Sequence, residues 1–181
     1  MKIDKKNIIV PLLLIILGFS ARLLPHAPNF TPIFAIALFG ALYLPTKYAL
    51  IIPMIAMLIS DFFIGFYSWQ IMTIVYASFI FMGIIGLLVR KNKKFHTVLA
   101  GTLLGSILFF LLTNFAVWMF GNMYIHTFSG LIQSYTMAIP FFKNSLLGNL
   151  FYSGIIIGGY EVVLSLQTKK IICSHKLINL K

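Results

Sequence analysis

From Thr97 to Phe120 the chain runs without a single Asp, Glu, Lys or Arg, and five other segments are nearly as bare. At about 1.5 Å of rise per residue, roughly 20 apolar residues carry a helix across about 30 Å of hydrocarbon. Helices and closed barrels are the only folds that satisfy every backbone group in such a medium. Only 9% of the 181 residues are charged, whereas a typical soluble domain has about 25%. The bilayer is therefore the solvent this sequence is written for. Six spans are predicted, at 7–24, 31–44, 47–66, 69–89, 97–120 and 145–166. They give an all-α membrane protein, a six transmembrane helix bundle forming a single domain over residues 1–181. Thr31 and Pro32 suit the start of the second span, Pro45 its end, and Pro53 a kink in the third.

The first span begins like a secretory signal, with a basic start and an apolar run. Arg22 stands where a small-residue cleavage site would have to be, so the segment is read as a retained helix. The net charge of +11 suits a nucleic-acid binder only until the charges are placed. They cluster between the apolar runs, where they orient a membrane protein, and no nucleic-acid partner is expected. With the N-terminus inside, twelve of the fourteen Lys and Arg residues fall on the inner side, leaving Arg22 and Lys143 outside. Both termini are thus expected in the cytoplasm, and residues 121–144 in an outer loop carrying a short interfacial helix.

That orientation puts an unusual amount of polarity at the outer face. "ARLLPHAPNFTP" (residues 21–32) carries Arg22, His26 and Asn29. Asp61 falls near the outer end of the third span, and Asn114 and Trp118, four apart, share one helical face. Tyr124, His126, Gln133 and Tyr135 fall in the predicted loop, and Asn144 and Asn149 open the last span. Polar groups in hydrocarbon are costly and turn toward a bundle interior or a cavity, so this clustering predicts an outward-facing pocket. Residue by residue, plainer roles are open. Arg22 and Asp61 can pair to hold the bundle, Trp69, Trp118 and Tyr124 can form an interfacial belt, and His26 and His126 can be loop residues without a ligand.

No H-E-x-x-H, G-x-S-x-G or phosphate-binding glycine loop occurs. The acids Asp61 and Glu161 fall toward opposite leaflets, so a carboxylate dyad is not expected, and Glu161 can pair with tail lysines or a partner. The lone Cys173 allows no internal disulfide, and neither a metal site nor a cofactor is expected. Ala37 and Ala41, Gly101 and Gly105, and Gly154 and Gly158 are each four apart, a spacing that lets helices approach closely. It serves either internal packing or docking of another membrane subunit.

"RLLPHAPNFTPIFAIALFGALYL", "PMIAMLISDFFIGFY", "FFLLTNFAVWMFGNMY" and "GLIQSYTMAIPFFKN" together resemble a bacterial family of small integral-membrane proteins. That family is similar to the substrate-binding S components of energy-coupling factor (ECF) vitamin transporters, most nearly the cobalamin-specific one. The resemblance spans roughly residues 20 to 160. It implies an ECF S-component-like fold in the inner (cytoplasmic) membrane, an external pocket closed by outer loops, and docking of small residues onto an ECF-type transmembrane subunit driven by ATPases. The cobalamin protein is thought to use a membrane cysteine as cobalt ligand, and this chain has none outside its tail. The expected function is therefore uptake of a vitamin-like micronutrient, cobalamin-type or another small ring compound. Arg22, His26, Asn29, Asp61, Asn114, Trp118, Tyr124, His126, Asn144 and Asn149 would bind substrate, and Ala37, Ala41, Gly101 and Gly105 would dock the partner. An intramembrane enzyme acting on a lipid or isoprenoid, with His26 or Asp61 as acid/base, and a ligand-free scaffold are the alternatives.

Overall fold

The shortest helix is the most enclosed. In the computed structural model, which describes the backbone of residues 6–178 and the side chains of residues 9–168, helix α2 (Ile33–Tyr43) is buried from Ile33 through Leu42. It is apolar on every side, as a helix surrounded by others must be. Its eleven residues rise only about 17 Å, so it is shorter than the hydrocarbon it sits in. Around it pack α1 (Lys6–Leu23), α3 (Thr46–Ile64), α4 (Trp69–Val89) and α6 (Phe128–Ser153), with α5 (Phe95–Phe120) between α4 and α6. Thr31 does not cap α2: Pro32 occupies the cap position without a side-chain hydrogen bond.

Helices α3, α4, α5 and the continuous helix from Phe128 to Thr168 are each long and apolar enough to cross a membrane, while α1 and α2 are shorter apolar helices. Large hydrophobic side chains such as Phe62, Ile84, Leu104 and Leu147 face outward, as lipid contact requires. The chain is an all-helical membrane protein.

The C-terminal third differs from the sequence expectation. Residues 121–144 are not a long loop, and the last helix does not begin at Ser145. The connection closes at Thr127, whose hydroxyl accepts the Gly130 N–H at 3.2 Å, and α6 starts at once. It passes through Pro140, continues through a π-helical turn (Gly154–Gly158), and runs on as α7 (Gly159–Ile178). Polar residues had made this stretch look like a loop, but α5 satisfies two of them. Ser134 donates to the Asn114 carbonyl at 3.1 Å and Tyr135 to the Leu111 carbonyl at 2.8 Å. Gln133, Tyr135, Lys143 and Asn144 therefore lie on a helix.

The small residues expected to dock a partner lie inside the bundle. Ala37 and Ala41 are fully buried, and Gly101 and Gly105 are buried on α5. A Cβ on Gly101 would meet Val89 at 2.8 Å, and one on Gly105 would meet Phe34 at 2.5 Å. Their smallness brings α5 against α4 and α2. A Cβ on Gly154 or Gly158 would instead meet nothing within 4 Å among the described residues. Glu161 accepts a hydrogen bond from Tyr43. Cys173 and the tail lysines 169, 170, 176 and 181 lie outside the described side chains.

Candidate functional site

A cavity of about 510 Å³ opens among α1, α2, α3, α4, α5 and α6. Its rim is the 24–32 loop that follows α1. A turn closed by the Phe30 N–H on the Ala27 carbonyl (2.9 Å) puts Asn29 at φ 64°, a left-handed conformation that Asn tolerates better than most residues. Phe30 is thereby delivered onto α6, against Phe151 and Tyr152 at centroid distances of 5.8 and 5.5 Å. Gly148 permits this contact, since a Cβ there would stand 3.1 Å from the Phe30 Cα. The loop is clasped to α6, and this fixes His26, Asn29 and Thr31 on the cavity wall.

Arg22, in the last turn of α1, is tied across to α3. Its Nη1 donates to Ser60 Oγ at 2.6 Å and to the Met57 carbonyl at 3.3 Å, and also contacts Met57 Sδ at 2.9 Å. Its Nη2 pairs with Asp61 Oδ1 at 2.8 Å, and the side chains are 16% and 1% exposed. Tyr76 on α4 donates to the other Asp61 oxygen at 2.8 Å. A guanidinium, a carboxylate and a phenol thus join three helices just behind the cavity. Arg22 reaches the cavity wall while Asp61 does not.

The opposite wall carries two amides. Asn149 on α6 is 4% exposed, and its Nδ2 donates to Ser106 Oγ on α5 at 2.9 Å. Asn114 Nδ2 donates to the Phe110 carbonyl one turn back at 2.7 Å. Between these polar groups stand aromatic rings: Phe79 against Phe109 at 5.3 Å and Phe110 against Phe142 at 4.7 Å. An apolar cavity with a few convergent polar groups is the usual form of a small-molecule site.

Of the predicted binding residues, Arg22, His26, Asn29, Asn114 and Asn149 line this cavity; Asp61 stands one layer behind. Trp118, Tyr124, His126 and Asn144 do not line it. Trp118 donates to the Ile125 carbonyl at 3.1 Å and its ring meets His126 at 5.9 Å, so these two fasten the α5–α6 connection. The sequence reading missed Tyr76 and the phenylalanines. The string "FFLLTN" held the signal, because Phe109 and Thr113, and Phe110 and Asn114, are each four apart and share a face. Among the described residues, no three His, Cys, Asp or Glu side chains are grouped to hold a metal ion.

Tyr67, in the connection between α3 and α4, also borders the cavity. Partial burial, reinforced by the Asp61 charge and opposed by Arg22, pushes its phenol up to about 12. A folded-state value above the unfolded one means that its contribution to stability is whole below about pH 10 and is lost as pH rises through about 12. The tyrosinate absorbance of the parent minus that of Tyr67→Phe should therefore rise near pH 12. A difference centred near pH 10 would show Tyr67 to be neither buried nor burdened by Asp61.

Residues 2–171 match a family described as a family of unknown function, DUF6580, and the chain belongs to that family. No curated protein matches the chain. No solved structure matches it.

Proposed function

We propose that this protein is a substrate-binding membrane subunit that captures a small ring compound from the outer side for uptake. The observation that supports this most is the cavity itself. It is about 510 Å³ in volume, inside the 300–1,000 Å³ range usual for ligand sites. Aromatic rings form its sides, and Arg22, His26, Asn114 and Asn149 supply polar groups from separate elements. Arginine and lysine placement supports an orientation with this end outside and both termini in the cytoplasm of a bacterial cell. The sequence resemblance to ECF S components supports coupling to a separate ATPase-driven module, because no nucleotide-binding motif is present.

Mass spectrometry of the gently purified protein tests the reading. A small ring compound should be released on denaturation in near-equal amount to the protein. Asn114→Ala and His26→Ala should weaken rebinding of it about 5-fold to 150-fold, the range for losing one hydrogen bond and stranding its partner, with little change in melting temperature. No released compound, or unaltered rebinding by both variants, overturns it.

A further inference from the structure

The polar groups of Arg22, Asn114 and Asn149 bear on the chemical type of ligand the cavity takes. The only guanidinium on the wall is already neutralised. Arg22 is paired with Asp61, which is 1% exposed and takes a second hydrogen bond from Tyr76. An anionic ligand on Arg22 would bring a second negative charge beside a carboxylate that cannot retreat to water, and like charges in such surroundings repel strongly. A neutral acceptor meets no such penalty. An arginine carries five N–H donors. The protein contacts of Arg22 are made by Nη1 and Nη2, which leaves Nε–H to donate.

The facing wall carries two amides. Asn149 gives one N–H of its NH₂ group to Ser106 and Asn114 gives one to the Phe110 carbonyl, so each amide keeps a second N–H. Each carboxamide oxygen makes no hydrogen bond to another described residue, and these oxygens can only accept. At the rim, His26 Nδ1 lies 2.6 Å from the Leu24 carbonyl. A carbonyl only accepts, so Nδ1 carries a proton. The cavity thus offers a donor on the α1 side, amides that each present an accepting oxygen and an N–H on the α5 and α6 sides, and aromatic faces between.

We infer that the ligand is a neutral, flat heteroaromatic lactam or ring amide, its carbonyl toward Arg22 and its N–H toward the asparagine oxygens. This inference rests on the uptake reading and narrows it. The cavity volume of about 510 Å³ suits a compound of a few fused rings. A complete corrinoid, with its amide arms and nucleotide loop, is far larger.

Chemical variation of the probe tests the inference without altering the protein. Carbostyril, a fluorescent bicyclic lactam, would be titrated into the full-length protein in nanodiscs. N-methylcarbostyril, a ring-carboxylated carbostyril and hydroxocobalamin would be titrated alongside. Carbostyril should bind saturably, N-methylation should weaken it about 5-fold to 150-fold by removing its one donor, and the carboxylate should bind more weakly than the parent lactam. Equal binding of the N-methyl compound, or tighter binding of the carboxylate or of hydroxocobalamin, would overturn the lactam assignment while leaving a ligand-binding subunit in place. If none of the four binds, the lactam assignment also fails, and the co-purified compound decides the uptake reading separately.

Discussion

Replacing Arg22 with methionine should lower the stability of the bundle by about 3–5 kcal/mol, the usual cost of stranding one partner of a buried ion pair. Asp61 is 1% exposed, so once Arg22 is gone its buried carboxylate keeps one donor among the described residues, Tyr76. The cost comes from the orphaned charge and not from a large net worth of the pair, because desolvation already offsets most of the mutual attraction. The double variant Arg22→Met with Asp61→Leu should therefore regain much of the loss. Thermal unfolding of the two single variants and the double variant, in one detergent, reads this directly. If the double variant loses the sum of the singles, the residues are uncoupled and the network between α1, α3 and α4 is not what holds those helices.

Substitution at Gly86 should have the next largest effect. A Cβ at this point of α4 would stand 2.5 Å from the Ala41 Cβ and 3.2 Å from Leu38 Cδ1 on α2. The first neighbour is a methyl group fixed to the backbone, so it cannot swing aside. Gly86→Leu should cost about 1–3 kcal/mol or more, as overpacking of a filled core does. The exchange Gly86→Ala with Ala41→Gly returns the lost space and should restore most of the melting temperature. Gly154→Leu, with nothing within 4 Å, should unfold like the parent. Equal losses at Gly86 and Gly154 would mean that helix approach is not what glycine provides in α4.

Much of the polar end was legible in the sequence, because charged and amide groups have few places to go in a membrane helix. Arg22, His26 and Asn29 are far along the chain from Asn114 and Asn149, yet each is an anomaly in its apolar surroundings, and the fold brings them to one cavity. The aromatic sides were not legible. In a chain with eighteen phenylalanines, one that lines a cavity looks like one that faces lipid, and only packing separates Phe79 from Phe81. The start of α6 was hidden for a related reason. Gln133, Ser134, Tyr135 and Thr136 lower the apolar content of the segment, and the α5 carbonyls that accept from Ser134 and Tyr135 are partners no local pattern can reveal. Trp118 and His126 misled because aromatic and imidazole groups near an outer pocket serve equally well to pin a connection, as they do here.

The enclosure of α2 bears on how the protein is made. At about 17 Å it is too short to cross about 30 Å of hydrocarbon alone, so after leaving the ribosome it cannot rest as a separate span beside α1. Of the helices that wrap it, α3, α4 and α6 are all synthesised later. Its permanent place is created only when α6 arrives, more than eighty residues after Tyr43. Until then the central element of the bundle has only α1, α3 and α4 around it. Assembly therefore ends at the middle of the molecule, and a chain cut short before α6 leaves its most apolar helix without the wall that completes the cavity.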